Sequence, residues 1–330
     1  MPPRPDARAM SAHTAERITL ARLPSGVRIE TTVHTYGDGD GPTLYVQAAQ
    51  HGREINGTAV LRRLHERLDP AAVSGRLVAV PVADPLTFDR VSYTTDEPID
   101  SVNGNMNRVW PGDESGTLHE RMAAELWELA GGADAIVDLH TASRDSLTHV
   151  VFREDDPEAR RMAEAFGTDL LLAELADDDA DEEWHARDFG GKLRVAASEE
   201  GIPSITPELA HNKEIVESAV EAGVEGTLNV LRELGMLPGA PGNDRSPPLY
   251  RNHLGRVRAE DSGLFRADPG VEIGRTVEPG EHVGTLYDPT SYEVLQEVGT
   301  DRAGLLYTVT RESTVVAGDS LVRVALPLED

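Results

Sequence analysis

The chain contains no cysteine, and lysine is nearly as scarce, with Lys192 and Lys213 the only two among 330 residues. Without thiols there are no disulfides and no thiolate ligands, so a bound metal must be held by histidine or carboxylate side chains. Hydrophobic residues make up 39% of the sequence, yet no run approaches the ~20 apolar residues of a membrane span. The opening segment MPPRPDARAMSAHTAERITLARL has no continuous apolar stretch, which argues against a secretory signal and for a cytoplasmic protein. Positive charge is short as well: 31 basic residues face 58 acidic ones, a net charge of -27. Phosphate contacts need clustered basic surface, so nucleic acid is disfavoured as a partner. Such an acidic excess repels itself unless counter-ions screen it, and a high-salt cytoplasm is the most economical explanation. The run DDDADEEWHARD (177–188) would suit a cationic partner, but charge runs are usually solvated loops.

What is present reads as an alternation. VRIETTV within 18–35 is β-rich, PTLYVQAAQ (42–50) is a buried strand, and RLVAVPVAD (76–84) is another. Between them Ile55, Val60, Leu61, Leu64 and Leu68 fall mostly at helical spacing. The stretch 85–113 is rich in Pro, Gly, Asn and Asp and predicts a long loop. A helix at about 117–130, strands at 133–140 and near 147–152, helices near 157–167 and 213–234, and the strand IPSITPEL (202–209) continue the pattern. The expected fold is an α/β mixed sheet covered by helices on both faces, with chemistry at the carboxyl ends of strands. After the Pro/Gly-rich segment 237–250, short β-like runs separated by DPG, EPG, DPT and AGD turns predict a small all-β part. The expected division is a catalytic domain over 1–240 and a β-rich sandwich-like domain over 241–330.

Two short motifs each follow an apolar strand. QHGREING places His51 and Glu54 three residues apart at a strand-to-helix junction, and DLHTAS places His140 roughly ninety residues later. Two imidazoles and one carboxylate can hold a zinc ion and leave a coordination position open, as hydrolytic sites do; there a water's pKa falls to about 7. Asp138 projects to the same face as His140 and is a candidate partner for its second ring nitrogen. NGNMNRVWPG (103–112) offers Asn107 and Arg108 in a loop, and TPELA (206–210) offers Glu208 at a strand end. An arginine near a metal can grip a substrate carboxylate with a bidentate fork. His149 reads as a solvent-facing or hydrogen-bonded histidine, His211 as a helix-capping neighbour, and Trp184 with His185 as residues of the acidic loop.

HGRE, MNRVWPG, DLH and TPE, in this order, resemble the succinylglutamate desuccinylase/aspartoacylase family of the zinc carboxypeptidase-like superfamily. The likeness covers about 40–235, with a β-rich C-terminal part over 245–330. It implies one zinc per chain on His51, Glu54 and His140, a substrate carboxylate held by Arg108 with Asn107, and Glu208 as general base. Arg90 in DRVSY resembles the family's upstream arginine that polarises the scissile carbonyl. The implied reaction is hydrolysis of the amide bond of a small N-acyl amino acid, of succinylglutamate or N-acetyl type. A peptide-cleaving carboxypeptidase and a non-catalytic metal-containing binding protein are the alternatives. The turn-rich segment GLFRADPGVEIGRTVEPGEHVGTLYD also resembles a biotinyl/lipoyl-like sandwich. Neither lysine lies in it, so covalent carrier chemistry is excluded there and a packing, lid or oligomer role is left. Oligomeric state, including a homo-oligomer, is left open.

Overall fold

The computed structural model describes residues 12–37, 39–142, 145–174, 190–242 and 247–328. The acidic run 177–188, with Trp184 and His185, lies outside the described residues. In chain order the first elements are β1 (His13–Arg22), β2 (Arg28–Tyr36), β3 (Thr43–Ala48), α1 (Asn56–Arg67), β4 (Arg76–Val80) and α2 (Pro85–Arg90). Then come α3 (Leu118–Ala130), β5 (Ala135–Ala142), β6 (His149–Arg153), α4 (Pro157–Phe166), β7 (Leu171–Glu174), α5 (Leu193–Glu199), β8 (Ser204–His211) and α6 (Glu217–Glu233). The remainder is β: β9 (Leu249–Arg258), β10 (Gly263–Ala267), β11 (Thr276–Val277), β12 (His282–Tyr287), β13 (Val294–Gly299), β14 (Gly304–Val309), β15 (Thr314–Val315) and β16 (Ser320–Pro327).

Twelve strands form one mixed sheet in the order β1-β2-β4-β3-β5-β8-β6-β7-β9-β16-β14-β11. Its centre is parallel: β4, β3, β5 and β8 run the same way. These strands read as near-continuous apolar runs because both of their faces are covered. Alternate residues divide between the two faces, as the pleat requires. Leu44, Val46 and Ala48 pack with Val60, Leu64, Met162 and Val224 from α1, α4 and α6. Tyr45 and Ile136 point the other way, against Met122 and Leu126 of α3 and Leu193 and Ala196 of α5. The predicted α/β sheet with helices on both faces is the fold observed.

The C-terminal strands do not stand apart from this sheet. β9 pairs with β7 in parallel, with Tyr250 opposite Leu172, so backbone hydrogen bonding continues across the Pro/Gly-rich segment. A second sheet, β13-β12-β10-β15, packs its Phe265, Val283, Leu286 and Val298 against Leu306, Val322 and Val324 of the large one. Tyr307 and Ala325 also share a small core with Val151, Leu170 and Leu172. The carboxyl end of β5 is thereby brought near β14, where Ser146 bridges Thr308.

Two local departures from the sequence reading bear on the site. The loop expected over 85–113 contains α2, which forms because Asp84 accepts hydrogen bonds from the backbone N–H groups of Leu86 and Thr87 and Pro85 occupies the first turn. Helix α5, short and placed directly after the acidic stretch, carries Arg194 into the interior with 6% exposure.

Candidate metal centre and active-site cavity

β3, β5 and β8 lie side by side, and their carboxyl ends deliver the polar groups of the site. Beyond Ala48 the chain turns sharply at Ala49, whose φ of 50° is uncommon for a residue with a side chain. His51 follows. Gly52 packs beneath α2, where a Cβ would sit 1.9 Å from the Thr87 carbonyl oxygen, so the second position of HGRE must be glycine. The Asn56 amide donates to the carbonyls of Leu209 and His211, at 3.0 Å each, and its Oδ1 accepts from Val216 N–H at 2.9 Å. That buried side chain fixes the start of α1, and with it Glu54, to the end of β8. His140 and Glu208 are register partners on neighbouring strands, so they face the same end of the sheet.

The Glu54 carboxylate lies between the two imidazoles. Its Oε1 is 3.0 Å from His51 Nδ1, and its Oε2 is 2.9 Å from His140 Nδ1 and accepts from Thr141 N–H at 3.0 Å. The far nitrogen of each ring is held separately: His140 Nε2 lies 2.9 Å from Asp138 Oδ2, and His51 Nε2 lies 3.2 Å from Asn105 Oδ1. Acceptors at both Nε2 atoms favour the tautomers whose Nδ1 lone pairs point at the shared centre. Asp138 is in turn held by Gln47 at 2.9 Å and Gln50 at 3.2 Å, and Trp110 donates to Gln50 at 2.6 Å. His51 Nδ1 is buried and close to Glu54 yet lacks the alignment of a hydrogen bond. An orphaned nitrogen beside a carboxylate, in a set whose donor atoms all lie within 4.8 Å, fits a divalent ion. Ligands on one tetrahedral ion at ~2.0–2.2 Å stand about 3.3–3.6 Å apart, a little wider than the 3.0 and 2.9 Å contacts here.

The electrostatics agree with this geometry. Burial opposes ionisation of Glu54, but the His51 and His140 imidazoles outweigh it and hold its pKa well below the usual carboxylate range. For His140 burial is likewise outweighed, by Asp138 and Glu54, and its pKa stands well above that of a free imidazole. An electron-rich set of this kind demands positive charge, which a proton or a metal ion can supply. Glu208 has the opposite bias. Burial raises its pKa and the Glu54 charge adds to that, against the lowering influence of His140, Arg323 and His51.

Around these groups lies a cavity of 320 Å³. Its wall carries Arg53, Arg108, Lys192, Arg194, Arg256 and Arg323 against the carboxylates Glu54 and Glu208. Arg108 Nη1 donates to the Asn107 carbonyl at 2.6 Å, while the Asn107 Oδ1 accepts from Leu193 N–H at 3.3 Å and ties the loop to α5. Arg194 is locked to buried Glu174 by two charge-assisted hydrogen bonds, one of 2.7 Å from Nε. His149, register partner of Glu208 on the opposite side of β8, is buried and donates from Nδ1 to the Leu147 carbonyl at 2.8 Å. Burial lowers its pKa to about 4, so it is a neutral imidazole in the wall.

Six of the seven residues singled out from the sequence meet here: His51, Glu54, His140, Glu208, Asn107 and Arg108. Arg90 does not. It closes α2, its side chain is 42% exposed, and it forms an ion pair with Asp96 at the surface. Arg53, inside HGRE itself, lines the cavity with its guanidinium 4.8 Å from the centre of the Tyr93 ring, and Tyr93 stacks on His51 at 4.0 Å. Sequence reasoning also missed Arg256, Tyr307 and Arg323. They arrive on β9, β14 and β16 and give the C-terminal strands a share in the cavity. No local motif marks them, and only the strand order brings them in.

Comparisons with known proteins agree with this arrangement. The chain is 28% identical over 309 residues to N-alpha-acetyl-L-2,4-diaminobutyric acid deacetylase of Halomonas elongata, covering 88% of this chain and 84% of that protein. The crystal structure of a succinylglutamate desuccinylase/aspartoacylase from Rhodobacter sphaeroides superposes with a TM-score of 0.80 at 26% identity, over 96% of this chain and 95% of that one. The product-bound ectoine utilization protein EutE (DoeB) of Ruegeria pomeroyi has the same fold, with a TM-score of 0.81 at 23% identity over 95% of each chain. The profile of the succinylglutamate desuccinylase/aspartoacylase catalytic domain matches residues 40–234, well over half of the sequence, and the chain belongs to that family.

Proposed function

We propose that this protein is a zinc-dependent deacylase that hydrolyses the amide bond of a small N-acyl amino acid. In this reading His51, Glu54 and His140 hold one zinc ion, Glu208 is the general base, and Arg108 with Asn107 binds the substrate carboxylate. The carrying observation is the convergence of two Nδ1 atoms on the Glu54 carboxylate beside Glu208, a carboxyl whose pKa burial has raised. When bound, zinc would supply a water of lowered pKa and a positive charge for the developing oxyanion. Glu208 takes the proton of the attacking water and returns it to the leaving amine, work that needs a carboxyl pKa nearer to neutrality than usual. The neutral His149 beside it adds no positive charge that would pull that pKa down.

The cavity's cations answer a problem set by composition. A chain of net charge -27 repels an anionic substrate at long range, and side chains such as Arg53, Arg108 and Arg323 reverse the field locally. Arg108 then acts as the carboxylate clamp, and Arg53 lies over the Tyr93 ring that stacks on His51. An Nα-acetylated amino acid of the kind acted on by the Halomonas elongata relative is the favoured substrate. The charge also supports a high-salt setting inside the cell, where counter-ions would screen both the substrate and the fold. No helix among the described residues is long and apolar enough to cross a membrane.

The test is release of free amine from Nα-acetyl-diaminobutyrate, N-acetylaspartate, succinylglutamate and a short peptide, before and after chelation and zinc return. Chelator-sensitive turnover of an N-acyl amino acid is expected. Cleavage of the peptide alone would move the assignment to a carboxypeptidase, and zinc binding without any turnover would move it to a binding protein.

A further inference from the structure

A second group of histidines lies at the other end of α1. His13 opens β1, His34 and Tyr36 lie two apart on β2 and so share a face, and His65 sits in the last turn of α1. The antiparallel register sets His13 opposite Tyr36 and leaves His34 diagonal to it. His13 Nε2 comes within 3.1 Å of His34 Nδ1, the His13 and His65 ring centres are 4.9 Å apart, and one nitrogen of each imidazole lies within 4.8 Å of the others. The Tyr36 hydroxyl holds His65 Nδ1 at 2.9 Å, with the His13 ring stacked on the Tyr36 ring at 4.5 Å.

We propose that His13, His34 and His65 form a second metal site, for a divalent ion that favours imidazole such as zinc or nickel, which fastens the edge strand of the large sheet to α1. The spacing suits ligation, since two nitrogens on one tetrahedral zinc at ~2.0–2.1 Å are about 3.3 Å apart. No carboxylate belongs to the group among the described residues, so the cluster has no anion that would explain three imidazoles at contact distance. Access is open: His65 is exposed, and His34, Tyr36 and His65 wall a surface groove of 540 Å³. The chain's charge of -27 concentrates cations around it. The role is structural, because the three imidazoles join β1, β2 and α1 and no carboxylate belongs to the group among the described residues. It is also independent of the deacylase reading, with a helix about 18 Å long between the two clusters.

The experiment is a zinc titration, repeated with nickel, of tag-free, metal-stripped full-length protein, read by calorimetry and by thermal melting. Two equivalents are expected for the wild type. His65→Gln and His34→Asn should each take one, lose the Tm increment of the second ion, and keep the wild-type deacylation rate. His51→Ala should also take one and lose turnover, which separates failure of one cluster from failure of the other. Should His34→Asn not fold, His65→Gln decides alone, since that side chain is exposed on a helix. Equal uptake by wild type and His65→Gln, or complete loss of uptake in His51→Ala, would overturn the proposal.

Discussion

Helix α1 has a histidine cluster at each end, and the two are built from different chemistry. At its start His51 and His140 are buried, a carboxylate lies between them, and Asp138 and Asn105 pin their far nitrogens. At its end His13 and His34 are partly covered and His65 is exposed, no carboxylate joins them among the described residues, and the Tyr36 hydroxyl holds His65. The first arrangement concentrates negative charge in a buried site and creates a demand for a cation; in the proposed reading Glu208, one strand away, is the base that works beside it. The second offers three imidazoles near the surface, where in our proposal an ion adds cross-linking between β1, β2 and α1. Histidine count is the same kind of signal at both ends; what separates a reactive centre from a clamp is the carboxylates around it.

The contrast breaks most sharply at Glu208. Glu208→Gln should lower kcat by about 10²–10⁴-fold, the usual worth of a positioned base, while metal content and Tm stay at wild-type values. Amine release alongside metal analysis reads both, and retained turnover would reduce the first cluster to a metal site like the second. Asp138→Asn probes the outer support of the same cluster. It should cost about 10–100-fold in zinc affinity or turnover, measured by competition with a chelator, whereas Tyr36→Phe should leave deacylation unchanged.

Arg323→Met asks whether the C-terminal strands share in the chemistry. Loss of a charged hydrogen bond to substrate is worth about 1.5–3 kcal/mol, or roughly 10–150-fold in kcat/KM. Because Arg323 lowers the Glu208 pKa, its removal should also move the acidic limb of the pH–rate profile to higher pH. A purely structural role for β16 would leave that limb in place.

His119 tests the support behind the first cluster. It is fully buried, with Nδ1 3.2 Å from Asp100 and Nε2 3.4 Å from Asp84, and it secures the segment that hands Tyr93 and Asn105 to His51. Burial opposes its protonation, but the two aspartates win and raise its pKa above 6.5. A raised folded-state pKa means that its stabilisation is complete below pH 6.5 and is lost as pH rises through the folded value. The Tm gap between wild type and His119→Gln should therefore be widest below that pH and narrow above it. A gap that widens with pH would contradict the assignment. The smallest specific effect concerns charge: raising salt should raise the Tm of the whole chain and lower KM for the anionic substrate little, since the cavity supplies its own cations.

Much of the first cluster was legible because its strands are buried on both faces. Apolar runs at 42–50, 133–140 and 202–209 announce β3, β5 and β8, and the polar residues at or just past their carboxyl ends are then candidates for one site. Arg90 was not legible because a loop composition concealed α2, whose last residue it is and from which it pairs with Asp96 at the surface. Arg256, Tyr307 and Arg323 were not legible, since their place depends on β9 joining β7 and on the order β9-β16-β14. The second cluster was hidden for the same reason. His13 and His34 meet through antiparallel register, and His65 reaches them only because α1 packs back on the sheet.

Anomalous diffraction at the zinc absorption edge, from crystals of the zinc-loaded protein, tests the central claim most directly. The account predicts an ion bound by Nδ1 of His51, Nδ1 of His140 and the Glu54 carboxylate, with both Nε2 atoms still held by Asp138 and Asn105. Zinc bound through either Nε2, or no zinc between these three side chains, would contradict it.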